Sequence, residues 1–230
     1  MMASSVRTTT LRWASVFLVI AFLGGNSVAH GQVEVNSGIK AGVNFASFGG
    51  EDADRFFQGA DEQFRTGVTI GGFVRVDPAG PFALQTELLY TQKGAKLEET
   101  VFGETTTTIY KIDYIEVPLL AKVQIPVTGP LTPNFFAGPA VGVPVRENVE
   151  IESTSGSDSG SIDDLIEPTD IGVHLGGGVN IAAGTVEVTL DIRYQFGLTN
   201  IFQDGNPILE SAGIEDIKNR GIGITAGLSF

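Results

Sequence analysis

The chain has 230 residues, 42% of them hydrophobic, no cysteine and a formal net charge of −13. Without cysteine there is no disulfide framework, thiolate nucleophile or cysteine metal site. The acidity speaks against nucleic acid as a partner, because phosphate binding needs lysine and arginine to displace counterions.

Residues 1–31 read as a secretory signal peptide. Arg7 and Arg12 form its basic end, Trp13 to Leu23 its apolar run, and Ser27-Val28-Ala29 or Ala29-His30-Gly31 supplies small residues for cleavage. The run is too short for a spanning helix. Removing it takes two arginines and no acid, so the charge moves from −13 to −15. Residues 32–230 then form one domain.

That domain opens on an alternating strand from Val33 to Phe45, with Val35, Ile39, Ala41 and Val43 on one face and Lys40 and Asn44 on the other. A glycine- and acid-rich connection, Ala46 to Arg65, follows. The second strand is expected from Thr66 to Val76, and Asp77 to Pro81 is a short turn by its chemistry. The third strand, Phe82 to Gly94, leads to a second long connection over Ala95 to Thr106. The fourth runs from Thr107 to Ile125 and carries Pro118, which cannot donate to a ladder and predicts a bulge or local distortion. Pro126 to Thr132 turns the chain into a fifth strand, Pro133 to Arg146.

Glu147 to Thr169 is a third long connection, and its serine- and glycine-rich centre has little to bury. The sixth strand spans Asp170 to Ile181. After Ala182-Ala183-Gly184 the seventh places Val186, Val188, Leu190, Ile192, Tyr194 and Phe196 opposite Glu187, Asp191, Arg193 and Gln195. A fourth long connection, Leu198 to Asn219, has room for a helical turn near Pro207 to Lys218. The closing strand, Gly221 to Phe230, sets Ile222, Ile224, Ala226, Leu228 and Phe230 against Gly223, Thr225, Gly227 and Ser229, and it is expected to pair with the first strand.

The pattern predicts an all-β fold, an eight-stranded antiparallel up-and-down transmembrane β-barrel with short turns at one end and long connections at the other. Nineteen of the 27 acids fall in the four long connections, which sorts the acidity to one end. An even strand number puts both termini at the short-turn, periplasmic side. A soluble lipocalin-like barrel has the same strand count but turns its apolar side chains inward. Charges sharing one face, a glycine-rich smaller face and a terminal phenylalanine after a secretory signal favour the membrane form.

Four stretches carry a family resemblance: Gly38 to Asn44, Glu87 to Gly94, Tyr114 to Lys122, and Tyr194 to Ile201. Together they resemble the outer-membrane β-barrel family of Bacteroidetes-type bacteria that includes PorT-like proteins, the third stretch most specifically. The resemblance implies a barrel of OmpA/OmpX-like architecture in a Gram-negative outer membrane. It brings no catalytic residues, and through PorT it implies a link to type IX protein secretion as one alternative.

The inward charges expected are Lys40, Arg75, Glu87, Lys93, Glu116, Lys122, Glu187, Asp191 and Arg193, with His174 at similar depth. Charges inside so narrow a lumen must pair, and small barrels are filled by side chains, so these residues are expected to plug the lumen. A small-solute or ion channel is the other alternative. His174, without a serine, cysteine or second ligand beside it, supports neither catalysis nor a metal, and no cofactor is implied. The partners expected are outer-membrane lipid, the barrel assembly machinery reading Phe230, and a protein meeting the outer loops of a monomer. Phe48, Phe56, Phe57, Phe64, Phe102 and Phe202 are the aromatic anchors for such a contact, or interface-belt residues.

Overall fold

The computed structural model describes residues 33–78, 80–101, 103–154, 156–203 and 211–230. The expected signal peptide and Phe102 lie outside the described residues, as do residues 207–210 of the stretch, Pro207 to Lys218, where a helical turn is expected. Nine strands are present among them: β1 (Glu34–Gly49), β2 (Asp61–Asp77), β3 (Phe82–Val101), β4 (Glu104–Gln124), β5 (Leu131–Ser153), β6 (Gly156–Ser161), β7 (Asp170–Ala183), β8 (Val186–Gly197) and β9 (Lys218–Ser229). All but β6 close into a ring, in the order β4-β3-β2-β1-β9-β8-β7-β5 with β5 returning to β4. Neighbours are antiparallel throughout, so this is the expected eight-stranded up-and-down barrel. The closing strand pairs with the first as predicted, with Ile39 opposite Leu228 and Val43 opposite Ile224.

Period-two alternation separates the faces. Ile222, Ile224 and Leu228 on β9, and Val68 and Ile70 on β2, are exposed, whereas Lys40, Arg75, Glu87, Lys122 and Arg193 are buried. The barrel is thus apolar outside and charged inside, the inverse of a lipocalin. From Ile222 to Phe230 the outward face rises about 21 Å, taking about 3.4 Å per residue and a tilt of about 40°. Phe82, Phe135 and Phe230 are exposed at the short-turn end, and Phe64, Tyr194 and Phe196 near the other. These rings mark the two rims of an apolar band.

The long-connection end differs from the sequence expectation. Ala95 to Thr106 is not a long loop: β3 and β4 continue as a ladder to Val101 opposite Glu104. The serine-rich stretch is likewise no loop, because Asn148 to Ser153 of β5 pairs with Ser161 to Gly156 of β6. Every β6 side chain is exposed, so β6 is held on β5 mainly by backbone pairing, whereas the β3 extension buries Ala95 and packs Leu97 inward. Pro118 distorts the ladder locally, as expected, but makes no bulge. Its ladder to β3 lapses, but the register resumes unshifted from Thr86↔Leu119 to Leu89↔Glu116. The bulges fall instead between Asp113 and Tyr114 against β5, and between Phe64 and Thr69 against β3. A missing N–H removes one rung, while the inward and outward faces on either side still hold the register.

Candidate functional site

The lumen is built in tiers. Nearest the short turns, Arg75 on β2 lies 2.7 Å from Asp77 and 2.7 Å from Glu187 on β8. Asn36 donates to Asp77 at 3.0 Å and Gln124 at 2.6 Å, so the tier draws on β1, β2, β4 and β8.

At the barrel's middle, Glu87 is the hub. It accepts from Lys40 at 2.7 Å, from both Arg193 terminal nitrogens at 2.7 and 3.1 Å, and from Gln85 at 2.6 Å. Asp191 shares the same cations: Lys40 is 2.9 Å away, Arg193 3.8 Å and Lys122 4.0 Å. Two inward rings wedge between them. Lys122 and Arg193 lie 5.2 and 5.5 Å from the Phe136 ring centre, and Lys40 lies 5.2 Å from that of Phe73. Each ring occupies space that a glycine leaves open: a Cβ on Gly38 would fall 2.6 Å from Phe73, and one on Gly176 2.7 Å from Phe136. Desolvated charges of this kind persist only when paired and hydrogen-bonded, and the fork of Arg193 on Glu87 is the strongest geometry available.

The upper tier centres on Lys93, 2.6 Å from Glu116 and 3.2 Å from Asp170, with its ammonium 5.0 Å from the Tyr114 ring centre. Asn219 of β9 donates to both Tyr114 and Asp170 at 3.0 Å. His174 Nε2 stands 3.9 Å from Glu116.

Above the charges sits an apolar cap of Phe48, Ala53, Phe57, Ile112, Ile162, Ile166, Ile201, Phe202, Ile214 and Ile217, with Phe56 and Tyr110 packed against it. Phe48 meets the rings of Phe56, Tyr110 and Phe202 at 5.6, 5.7 and 6.1 Å. The β1–β2 connection and the segment before β9 are latched across it. Asp52 accepts from the backbone N–H of Glu215 and Asp216 at 2.9 and 3.1 Å, and Asp216 accepts from that of Glu51 at 3.0 Å. The Glu215 and Asp216 amides hold the Asp52 carboxyl below its usual range. Hydrogen bonding from Lys218, then from Glu51, does the same for Asp216.

Nine of the ten charged positions expected in the lumen are buried there, and Glu187, at the turn end, is half-buried against Arg75. Sequence reading missed Asp77, Asp170, Asn219 and Gln85. Asp77 and Asp170 stand at strand ends, where a one-residue change of boundary decides whether a carboxylate counts as lumen or loop. The expected anchors Phe48, Phe56, Phe57 and Phe202 are inside the cap rather than turned to a partner, while Phe64 is exposed. Among the described residues, no group of three His, Asp or Glu side chains is placed to hold a metal ion.

The lattice is therefore suited to filling and bracing a narrow membrane barrel. A family model for the outer membrane protein beta-barrel domain matches residues 29–203, well over half of the chain. The chain belongs to this outer-membrane β-barrel family. Its place is accordingly the outer membrane. Neisserial surface protein A is similar in structure, with 13% identity, a TM-score of 0.46, and 84% of this chain and 95% of that one covered. The N-terminal β-barrel domain of Pseudomonas aeruginosa OprF gives 13% identity and a TM-score of 0.39, over 86% of this chain and 100% of that one. Yersinia pestis Ail, solved with the heparin analogue sucrose octasulfate, gives 13% identity and a TM-score of 0.38, over 86% and 99% of the two chains. No curated protein matches the sequence.

Proposed function

We propose that this protein is a monomeric, lumen-plugged outer-membrane barrel with a structural or interaction role and no catalysis, which presents its outer hairpins to a protein partner. The observation that carries this reading is the pairing inside. Lys40, Arg75, Lys93, Lys122 and Arg193 all lie within 4.0 Å of carboxylates drawn from Asp77, Glu87, Glu116, Asp170, Glu187 and Asp191. A permeating ion has to part such pairs, and breaking a buried pair costs about 3–5 kcal/mol. The apolar cap adds a second barrier. In this reading both termini are periplasmic, and the exposed Phe230 is the signal read by the barrel assembly machinery.

Planar-bilayer recording of the mature barrel tests the plug. Only brief or absent conductance is expected; large, stable steps would establish the small-solute or ion channel instead. The stretch from Tyr114 to Lys122, which resembles PorT-like proteins, favours one further reading, an accessory of type IX protein secretion. Deletion of the gene followed by an assay of secreted surface proteins tests that reading, and unchanged secretion excludes it.

A further inference from the structure

Within the upper tier lies a small, mostly enclosed chamber of about 10 Å³, lined by Lys93, Glu116, Ala140, Asp170, His174 and Asn219 among others. Four buried polar atoms lack a protein partner on these same residues: Glu116 Oε2, Asp170 Oδ1, His174 Nδ1 and Asn219 Oδ1. Their residues are at most 7% exposed, so bulk solvent does not satisfy them. Native interiors leave only a few such atoms unpaired per hundred residues. Here four belong to residues around one void, just large enough for a single water molecule.

We infer that this chamber is a binding site for one ordered water molecule, which joins β3, β4 and β7 through Lys93, Glu116, His174 and Asp170. Lys93 uses one proton on Glu116 and one on Asp170, leaving a third donor. The water accepts that proton and the one on His174 Nδ1–H, and donates its own two to the carboxylate oxygens Glu116 Oε2 and Asp170 Oδ1, which satisfies three of the four atoms and leaves Asn219 Oδ1 outside its four bonds. A buried water with about three such partners is held as firmly as a side chain. The site is independent of the plug reading: a conducting barrel would still have to satisfy these four atoms.

High-resolution crystallography of the mature barrel in detergent tests the site directly. The expected result is an omit-map peak within about 2.7–3.2 Å of at least three of the named atoms. An absence of density overturns the inference, and a peak with four or more oxygen contacts near ~2.4 Å overturns it in favour of a hard cation. Two substitutions at Ala140, which lines the void, give an independent readout in thermal unfolding. Ala140→Val displaces the water and strands its partners, so the midpoint should fall by roughly 2–4 °C for each hydrogen bond lost. Ala140→Ser supplies a hydroxyl in the water's place and should fall less. In a dry cavity the order reverses, because valine then fills a void and serine adds an unsatisfied group.

Discussion

Replacing Glu87 by glutamine tests the lattice most severely, because the shape is kept and the charge is lost. Glu87 takes hydrogen bonds from Lys40 at 2.7 Å and from Arg193 at 2.7 and 3.1 Å, and its side chain is fully buried. In Glu87→Gln the cations Lys40, Arg193 and Lys122 are left with Asp191 as their one nearby carboxylate, at 2.9, 3.8 and 4.0 Å. Leaving buried charge uncompensated costs about 3–5 kcal/mol. At about 2–4 °C per kcal/mol for a domain of this size, the unfolding midpoint should fall by roughly 6–20 °C. The single tryptophan, Trp13, lies in the expected signal peptide, so far-UV circular dichroism and heat-shifted mobility on gels are better probes than tryptophan fluorescence. Adding Arg193→Met removes one stranded cation and should recover part of the loss. A Glu87→Gln midpoint within about 1 °C of the parent, or strictly additive losses in the double variant, would refute the view that Glu87 is the electrostatic hub.

Three further outcomes are expected. Because the Asp52 carboxyl is held below its usual value of 3.8, the latch it forms is complete above that pH and is lost as pH falls through the lowered value. Asp52→Ala should therefore release it at neutral pH, seen as faster hydrogen exchange at Glu215 and Asp216 with β7 unaffected; unchanged exchange would mean that Asp52 does not hold the loops together. Gly94 has φ +126°, and a Cβ there would fall 1.9 Å from the Tyr110 carbonyl oxygen. Gly94→Ala should cost about 1–3 kcal/mol, measured by denaturant unfolding, and a change below about 0.5 kcal/mol would contradict the close approach. Deletion of Phe230 should reduce membrane insertion of the expressed barrel, and wild-type yields of the heat-modifiable form would count against its role as an assembly signal.

The barrel was legible because a strand with lipid on one side and packed charge on the other alternates where it crosses the membrane. Lys40 and Arg193 each sit between outward apolar neighbours, and Glu87 between Thr86 and the outward Leu88, so burial could be assigned by parity. Above the membrane that contrast fades. Lys96, Glu98 and Thr105 belong to strands whose outer side meets water, and polar residues there read as loop although the backbone is paired. Ala95 and Leu97 alternate with Lys96 and Glu98, and four threonines follow from Thr105 to Thr108; together these gave a usable strand signal. Asp170 was legible as a strand residue but not as a partner of Lys93, since the two are 77 positions apart and meet only through closure of the ring. The Phe48 cap was hidden for the same reason: its rings come from β1, the β1–β2 connection, β4 and the segment before β9.

The seam between β1 and β9 has a kinetic consequence. Six of the ring's eight contacts join strands that follow one another directly, and β5–β7 spans only the β6 hairpin, so these can form from local encounters. The seam pairs Ile39 with Leu228, about 190 residues apart. Closing a loop that long costs about 2 kcal/mol more chain entropy than closing one of about 20 residues. The slow event in folding should therefore be the zipping of this last pair, with β1 and β9 presenting two open edges until it occurs. A chaperone or membrane catalyst that shelters those edges would accelerate maturation without touching a single lumen residue.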